Sequence, residues 1–157
     1  MNRYSDFIRM LDSLIEDESD PITITANASA LIFESLDNVN WSGFYRVINN
    51  ELLLGPFQGK PACMHIQFDK GVCGYAYTND KVTVVDDVHV FPGHIACDSA
   101  SNSEIVLPIH SSDGKVIALL DIDSPVFSRF GSEEEEYLRC VVSSLEKVFN
   151  HNGVIVF

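Results

Sequence analysis

Positive charge is scarce in this sequence: 10 Lys and Arg stand against 23 Asp and Glu, a formal net charge of -13. At long range such a chain repels phosphate backbones and anionic headgroups, which argues against nucleic acid and membrane surfaces as partners. Long apolar runs are missing too. The uninterrupted stretch Val116 to Leu120 is far too short to span a bilayer, and Met1 to Asp6 contains no apolar signal core. The expectation is a soluble, cytoplasmic protein. Cysteine is sparse, with Cys63, Cys73, Cys97 and Cys140 making four in 157 residues. That is too few for a disulfide-stapled secreted scaffold, so any role they have is more readily chemical than structural. No repeat, low-complexity segment or Pro/Gly/Ser-rich linker divides the chain.

What is present is ordinary globular composition, 46% apolar and 10% aromatic, in a length that suits one domain over residues 1–157. Phe7, Ile8, Leu11, Leu14 and Ile15 fall at helical spacing. Asp20 before Pro21 is an N-cap followed by a proline at the first helical position, and Ile24, Ala28, Leu31 and Ile32 continue one face of a second helix ending near Leu36. The pattern then changes to runs rich in β-branched and aromatic residues: Trp41 to Ile48, Glu51 to Pro56, Lys81 to Val85, Glu104 to His110 and Lys115 to Ile122. Asn49-Asn50 and Ser111 to Gly114 tolerate positive φ and predict hairpin turns. Gly71 to Tyr77 reads as a short helix. Ser132 and Glu135 suggest a capping box for a last helix with Leu138, Val142, Leu145 and Phe149 on one stripe. These elements predict an α+β fold with a mostly antiparallel central sheet and N-terminal and C-terminal helices packed on it.

Reactive residues crowd the segment from Asp86 to Ser103, which carries His89, His94, Cys97 and several acids between two strands. A loop this long without its own structure is usually functional. Cys63 and Cys73 sit in two further loop or turn segments. Three readings stay open on the residues alone. The cysteines could be small buried hydrophobes, which suits Cys140 in the last helix. His89, His94 and Cys97 with Cys63 or Cys73 could hold zinc, although no Cys-x2-Cys knuckle supports it. Alternatively, one thiol attacks an electrophile and a neighbour resolves the product as a disulfide.

A resemblance narrows this choice. The strings Asn40 to Tyr45, Leu54 to Cys63, Gly71 to Gly74, Asp86 to Asp98, Ser101 to Val106 and Leu120 to Pro125 closely resemble the free methionine-R-sulfoxide reductases, stand-alone GAF-domain enzymes. The resemblance implies a GAF-like fold and often a homodimer. It implies that Cys97 is the nucleophile that becomes a sulfenic acid, with Cys63 the main resolving thiol and Cys73 a secondary one. The implied substrate is free methionine-R-sulfoxide and the implied reductant a thioredoxin-like protein, with neither cofactor nor metal. Trp41 would shape the slot for the methyl group, and Tyr45, Asp86, Glu104, Asp121 and Asp123 join it as substrate-binding residues.

These residue types suit that chemistry. A sulfoxide needs a nucleophile at sulfur and a proton for its oxygen, and Glu104 is the leading acid candidate. Asp121 and Asp123, two apart on a predicted strand, point to one face; crowded acids raise a carboxyl pKa and can also hold an ammonium. Trp41 and Tyr45 share a face by the same spacing, and loop amides around Ala96 to Asn102 would receive the carboxylate. The same acids disfavour a thiolate at Cys97 until the substrate's ammonium offsets part of their field. The alternative function is a GAF sensor that binds a small ligand without turning it over.

Overall fold

The protein is described by a computed structural model that covers residues 3–93, 100–151 and 157. Its centre is a six-stranded sheet of β1 (Trp41–Ile48), β2 (Glu51–Gly59), β3 (His65–Ile66), β4 (Thr83–Val85), β5 (Ser103–His110) and β6 (Val116–Ser124), in the order β3-β2-β1-β6-β5-β4. All strand pairs are antiparallel. Two tight hairpins set the register. Between β1 and β2, Asn49 and Asn50 take φ of 52° and 62°, the left-handed geometry whose twist matches that of paired strands. Between β5 and β6, Ser111 N–H donates to Lys115 O at 2.9 Å and Gly114 takes φ of 85°.

Alternation along these strands divides the sheet into two chemically different faces. Phe44, Ile105, Leu107, Ile109, Ala118, Leu120 and Ile122 point to one side, where α1 (Ser5–Ile15), α2 (Pro21–Ser35) and α4 (Ser132–His151) cover them. Burying each large side chain there contributes roughly 1.5–3 kcal/mol. Tyr4 stacks on Tyr137 with ring centroids 4.5 Å apart, and Ser35 Oγ lies 2.7 Å from Tyr137 Oη, so the terminal helices are pinned together as well as to the sheet. The other side carries Trp41, Tyr45, Val106 and Leu119, packed under α3 (Gly71–Asn79).

Most elements follow their sequence patterns, with informative exceptions. Asp20 caps α2 as expected, accepting from the N–H groups of Ile22 and Thr23 at 2.8 and 3.2 Å. At α4 the capping pair moves one residue back. Gly131 N–H donates to Glu134 Oε1 at 3.0 Å while Glu135 takes Arg139 at 2.9 Å, because the helix begins at Ser132 rather than after it. β2 runs beyond Pro56 to Gly59, since the register shifts between Gly43 and Tyr45 and the proline sits at that irregularity, where its missing N–H disturbs the ladder least. β3 and a 3-10 turn at Val88–Val90 were not expected. Leu14 is exposed, and Cys140 is exposed rather than a buried packing residue, as it faces away from the stripe of α4. No described helix is long and apolar enough to cross a membrane.

Candidate active site

The second face of the sheet owes its function to a reversal of the usual burial rule. Where β1, β5 and β6 lie side by side, Glu104 pairs with Asp123 and Asp121 with both Gly43 and Val106. Alternation therefore turns Glu104, Asp121 and Asp123 toward α3 together with Trp41 and Tyr45. These five side chains and Cys73 line a cavity of about 50 Å³. Gly43 lets the aromatic wall pack closely: a Cβ there would stand 2.3 Å from Phe57 Cβ and 2.7 Å from Trp41 Cη2. At Gly74 a Cβ would meet Phe68 O at 2.7 Å, so glycine lets α3 pack against the turn that precedes it.

Trp41 is fixed as an apolar wall. Its Nε1–H donates to Lys60 O at 3.1 Å, and its ring stacks on Phe57 and Tyr45 with centroids 5.1 and 6.0 Å away. Tyr45 in turn donates its hydroxyl hydrogen to the carbonyl oxygen of Cys63 at 2.8 Å. Cys63 is disulfide-bonded, whereas Cys73 and Cys140 are free thiols.

Burial raises the pKa of Glu104 well above the carboxylate range, and the nearby Asp121 and Asp123 push it further. Asp121 is raised chiefly by burial, a shift tempered by hydrogen bonds from Glu104 and Cys73. The proton therefore resides on Glu104, and Asp121 accepts. The Cys73 thiol donates to Asp121 Oδ2 at 3.4 Å, and burial plus the acidic groups around it hold its proton on. The arrangement can supply a proton, hold a cation and wall off a small apolar group.

The loop flanking this cavity is fastened on both described sides. Asp87 accepts from His89 N–H at 3.0 Å, Val88 N–H donates to Asn102 O at 3.0 Å, and Asn102 Nδ2 donates to Pro125 O at 2.8 Å. His89, exposed, has its Nε2 2.8 Å from Asn102 Oδ1, so its ring serves the loop. Cys97 and His94 lie outside the described residues. Asp86 is exposed beyond the end of β4, apart from the cavity lining, with its carbonyl accepting from Ser128 N–H at 3.0 Å. Two polar lining residues have side chains the sequence did not single out: Lys70, the one cation among the described lining residues, and buried Ser101, which accepts from Asn40 Nδ2 at 3.2 Å. Lys70 carries no periodic or motif signal beyond preceding the Gly71 string; Ser101 opens a string that the family shares.

A family model described as GAF domain matches residues 20–148. The free methionine-R-sulfoxide reductase of Escherichia coli is 50% identical over 145 residues, spanning 92% of this chain and 87% of that protein. Among solved structures, reduced fRMsr of Staphylococcus aureus is 50% identical with a TM-score of 0.90, covering 94% of this chain and 96% of that one. The free methionine-R-sulfoxide reductase of Neisseria meningitidis in complex with its substrate is 41% identical with a TM-score of 0.89, covering 93% and 87% of the two chains. With a buried acid pair, an aromatic wall and this extent of identity, the chain belongs to the free methionine-R-sulfoxide reductase family of GAF-domain proteins.

Proposed function

We propose that this protein reduces free methionine-R-sulfoxide to methionine, with Cys97 as the attacking thiol. The observation that carries the reading is Glu104, its pKa raised by burial and by its acidic neighbours, set beside Asp121 in a cavity walled by Trp41 and joined through Tyr45 to Cys63. The substrate's methyl group rests against the Trp41 ring, and its ammonium is held by Asp121 and Asp123. Asp86, exposed beside the cysteine loop, has only an outer part in binding. Lys70 and the amides that follow the cysteine loop favour its free carboxylate, so a residue inside a peptide is rejected.

Cys97 sulfur attacks the sulfoxide sulfur while Glu104 delivers a proton toward the oxygen. The oxygen passes to Cys97, which becomes a sulfenic acid, and methionine leaves reduced by two electrons. The Cys63 thiol then attacks Cys97 sulfur, a disulfide forms and water departs. The disulfide-bonded state of Cys63 supports its resolving role, and the buried, protonated Cys73 suits a secondary one. A thioredoxin-like dithiol returns two electrons and two protons. A homodimer, a one-domain organisation and a cytoplasmic setting belong to the same proposal.

The test is consumption of the R epimer of free methionine sulfoxide with a dithiol donor, with the S epimer and a capped peptide as controls. Turnover confined to the free R epimer is expected. Stoichiometric binding without thiol consumption would overturn the reading in favour of a GAF sensor.

A further inference from the structure

Three donor atoms from three elements converge in the cavity. Sγ of Cys73 on α3 and one carboxylate oxygen each from Glu104 on β5 and Asp121 on β6 all lie within 4.8 Å of one another. All three residues are buried. Asp121 is 5% exposed, and its Oδ1 has no hydrogen-bond partner although it is shut off from solvent. A buried oxygen without a donor calls for a partner, and an ion is one that satisfies it. We propose that Cys73, Glu104 and Asp121 form a binding site for a thiophilic divalent cation of the zinc class, which closes the cavity to substrate.

The donor set chooses the ion. One thiolate sulfur with two carboxylate oxygens is a zinc-like combination, whereas magnesium and calcium take oxygen alone. Metal-ligand bonds of about 2.3 Å to sulfur and about 2.1 Å to oxygen at tetrahedral angles separate the two donors by roughly 3.5 Å. The Cys73 Sγ to Asp121 Oδ2 distance is 3.4 Å. A cavity of about 50 Å³ also has room for the ion and one water as fourth ligand. Charge favours the same occupant: fully ionised, the donors carry three negative charges, of which a divalent ion offsets two and an ammonium only one. Binding displaces the protons of Cys73 and Glu104 to solvent, with no change of oxidation state. The ion is therefore an inhibitor, since it consumes the proton that Glu104 would deliver and fills the ammonium position.

The competition rests on the proposed substrate, but the binding does not. In the full chain carrying Cys140→Ala, with the disulfide of Cys63 closed, Cys73 is the free thiol among the described residues. Titrating it with Zn²⁺ should give one ion retained per chain after desalting, and Cd²⁺ should give the ultraviolet charge-transfer band of a cadmium thiolate. Adding Cys73→Ser should abolish the band and weaken Zn²⁺ binding more than roughly a hundredfold, since loss of even an outer-shell partner costs up to about that much. Asp121→Asn should weaken it comparably, with Trp41 fluorescence confirming that both variants fold. No retained ion, or a band that persists in Cys73→Ser, would overturn the site. Free methionine-R-sulfoxide should raise the apparent Kd. One-to-one binding indifferent to that compound would uphold the cation site and count against the substrate reading alone.

Discussion

The Tyr45 hydroxyl and the Cys63 carbonyl oxygen, 2.8 Å apart, tie the wall of the cavity to the loop of Cys63, the thiol proposed to resolve the sulfenic acid. Tyr45 is buried on β1, so this bond links the central sheet to the connection between the end of β2 at Gly59 and the start of β3 at His65. Tyr45→Phe should cost about 1 kcal/mol of stability, because one hydrogen bond is lost and a carbonyl loses its donor. Single-turnover methionine release should stay near the parent rate while multiple turnover slows. Equal slowing of both phases in rapid-quench measurements would refute the assignment to recycling.

Separating the two thiols kinetically is direct. Cys97→Ser should form no methionine even in the first turnover. Cys63→Ser should release about one equivalent per chain in a burst and then recycle slowly. Unchanged multiple turnover in Cys63→Ser would remove it as the resolving residue.

Glu104 couples activity to pH with a definite sign. Its pKa is raised by burial and by Asp121 and Asp123, and in the proposed mechanism the protonated form acts, so kcat should hold at lower pH and fall as pH rises through that pKa. A raised folded pKa also means that the stability it contributes is fully present below the ordinary value of 4.5 and is lost as pH rises through the folded one. Glu104→Gln should therefore lower kcat by about 10²–10⁴ while raising Tm near neutral pH. A variant that loses both activity and Tm would contradict this balance.

His110 supplies an independent pH term far from the cavity. Its ring nitrogens lie 2.6 Å from Asp80 and 3.0 Å from Glu146, joining the end of α3 to α4. Burial lowers its pKa, but the two carboxylates outweigh burial and leave it raised above 6.5. Its contribution is thus complete below about that pH and disappears as pH rises through the folded value. Urea midpoints should drop between about pH 6 and pH 8 more in the parent than in His110→Gln. Parallel pH dependence in the two would show that the clasp contributes nothing.

Gly43→Ala tests the aromatic wall of the cavity. The added methyl meets Phe57 Cβ at 2.3 Å and the Trp41 ring at 2.7 Å, a strain that should cost about 1–3 kcal/mol. Trp41 is the single tryptophan, so its emission reports the displacement directly. The KM for free methionine-R-sulfoxide should rise if the ring shapes the methyl slot.

Much of this was legible before any coordinates. Helical spacing located α1, α2 and α4, and runs such as Glu104 to His110 located the strands, because burial on one face imposes a period that the residues must carry. Where the period failed, a partner was responsible. β2 extends to Gly59 because Trp41 pairs with it, and β3 is two residues paired with Leu52 and Leu53. Lys70 stayed hidden for the same reason, since a lone lysine in a turn has no local signature.

The residues by themselves determined the element types, the two faces of β5 and β6, and the strings that mark the family, since each depends on local spacing or identity. Tertiary structure decided which acids meet. Glu104 and Asp121 are 17 positions apart, and only the antiparallel register of β5 on β6, with Cys73 lowered onto them by α3, buries them together. Proton affinity depends on what stands within a few ångströms and on how little water is there, and neither quantity is written in any one segment of chain.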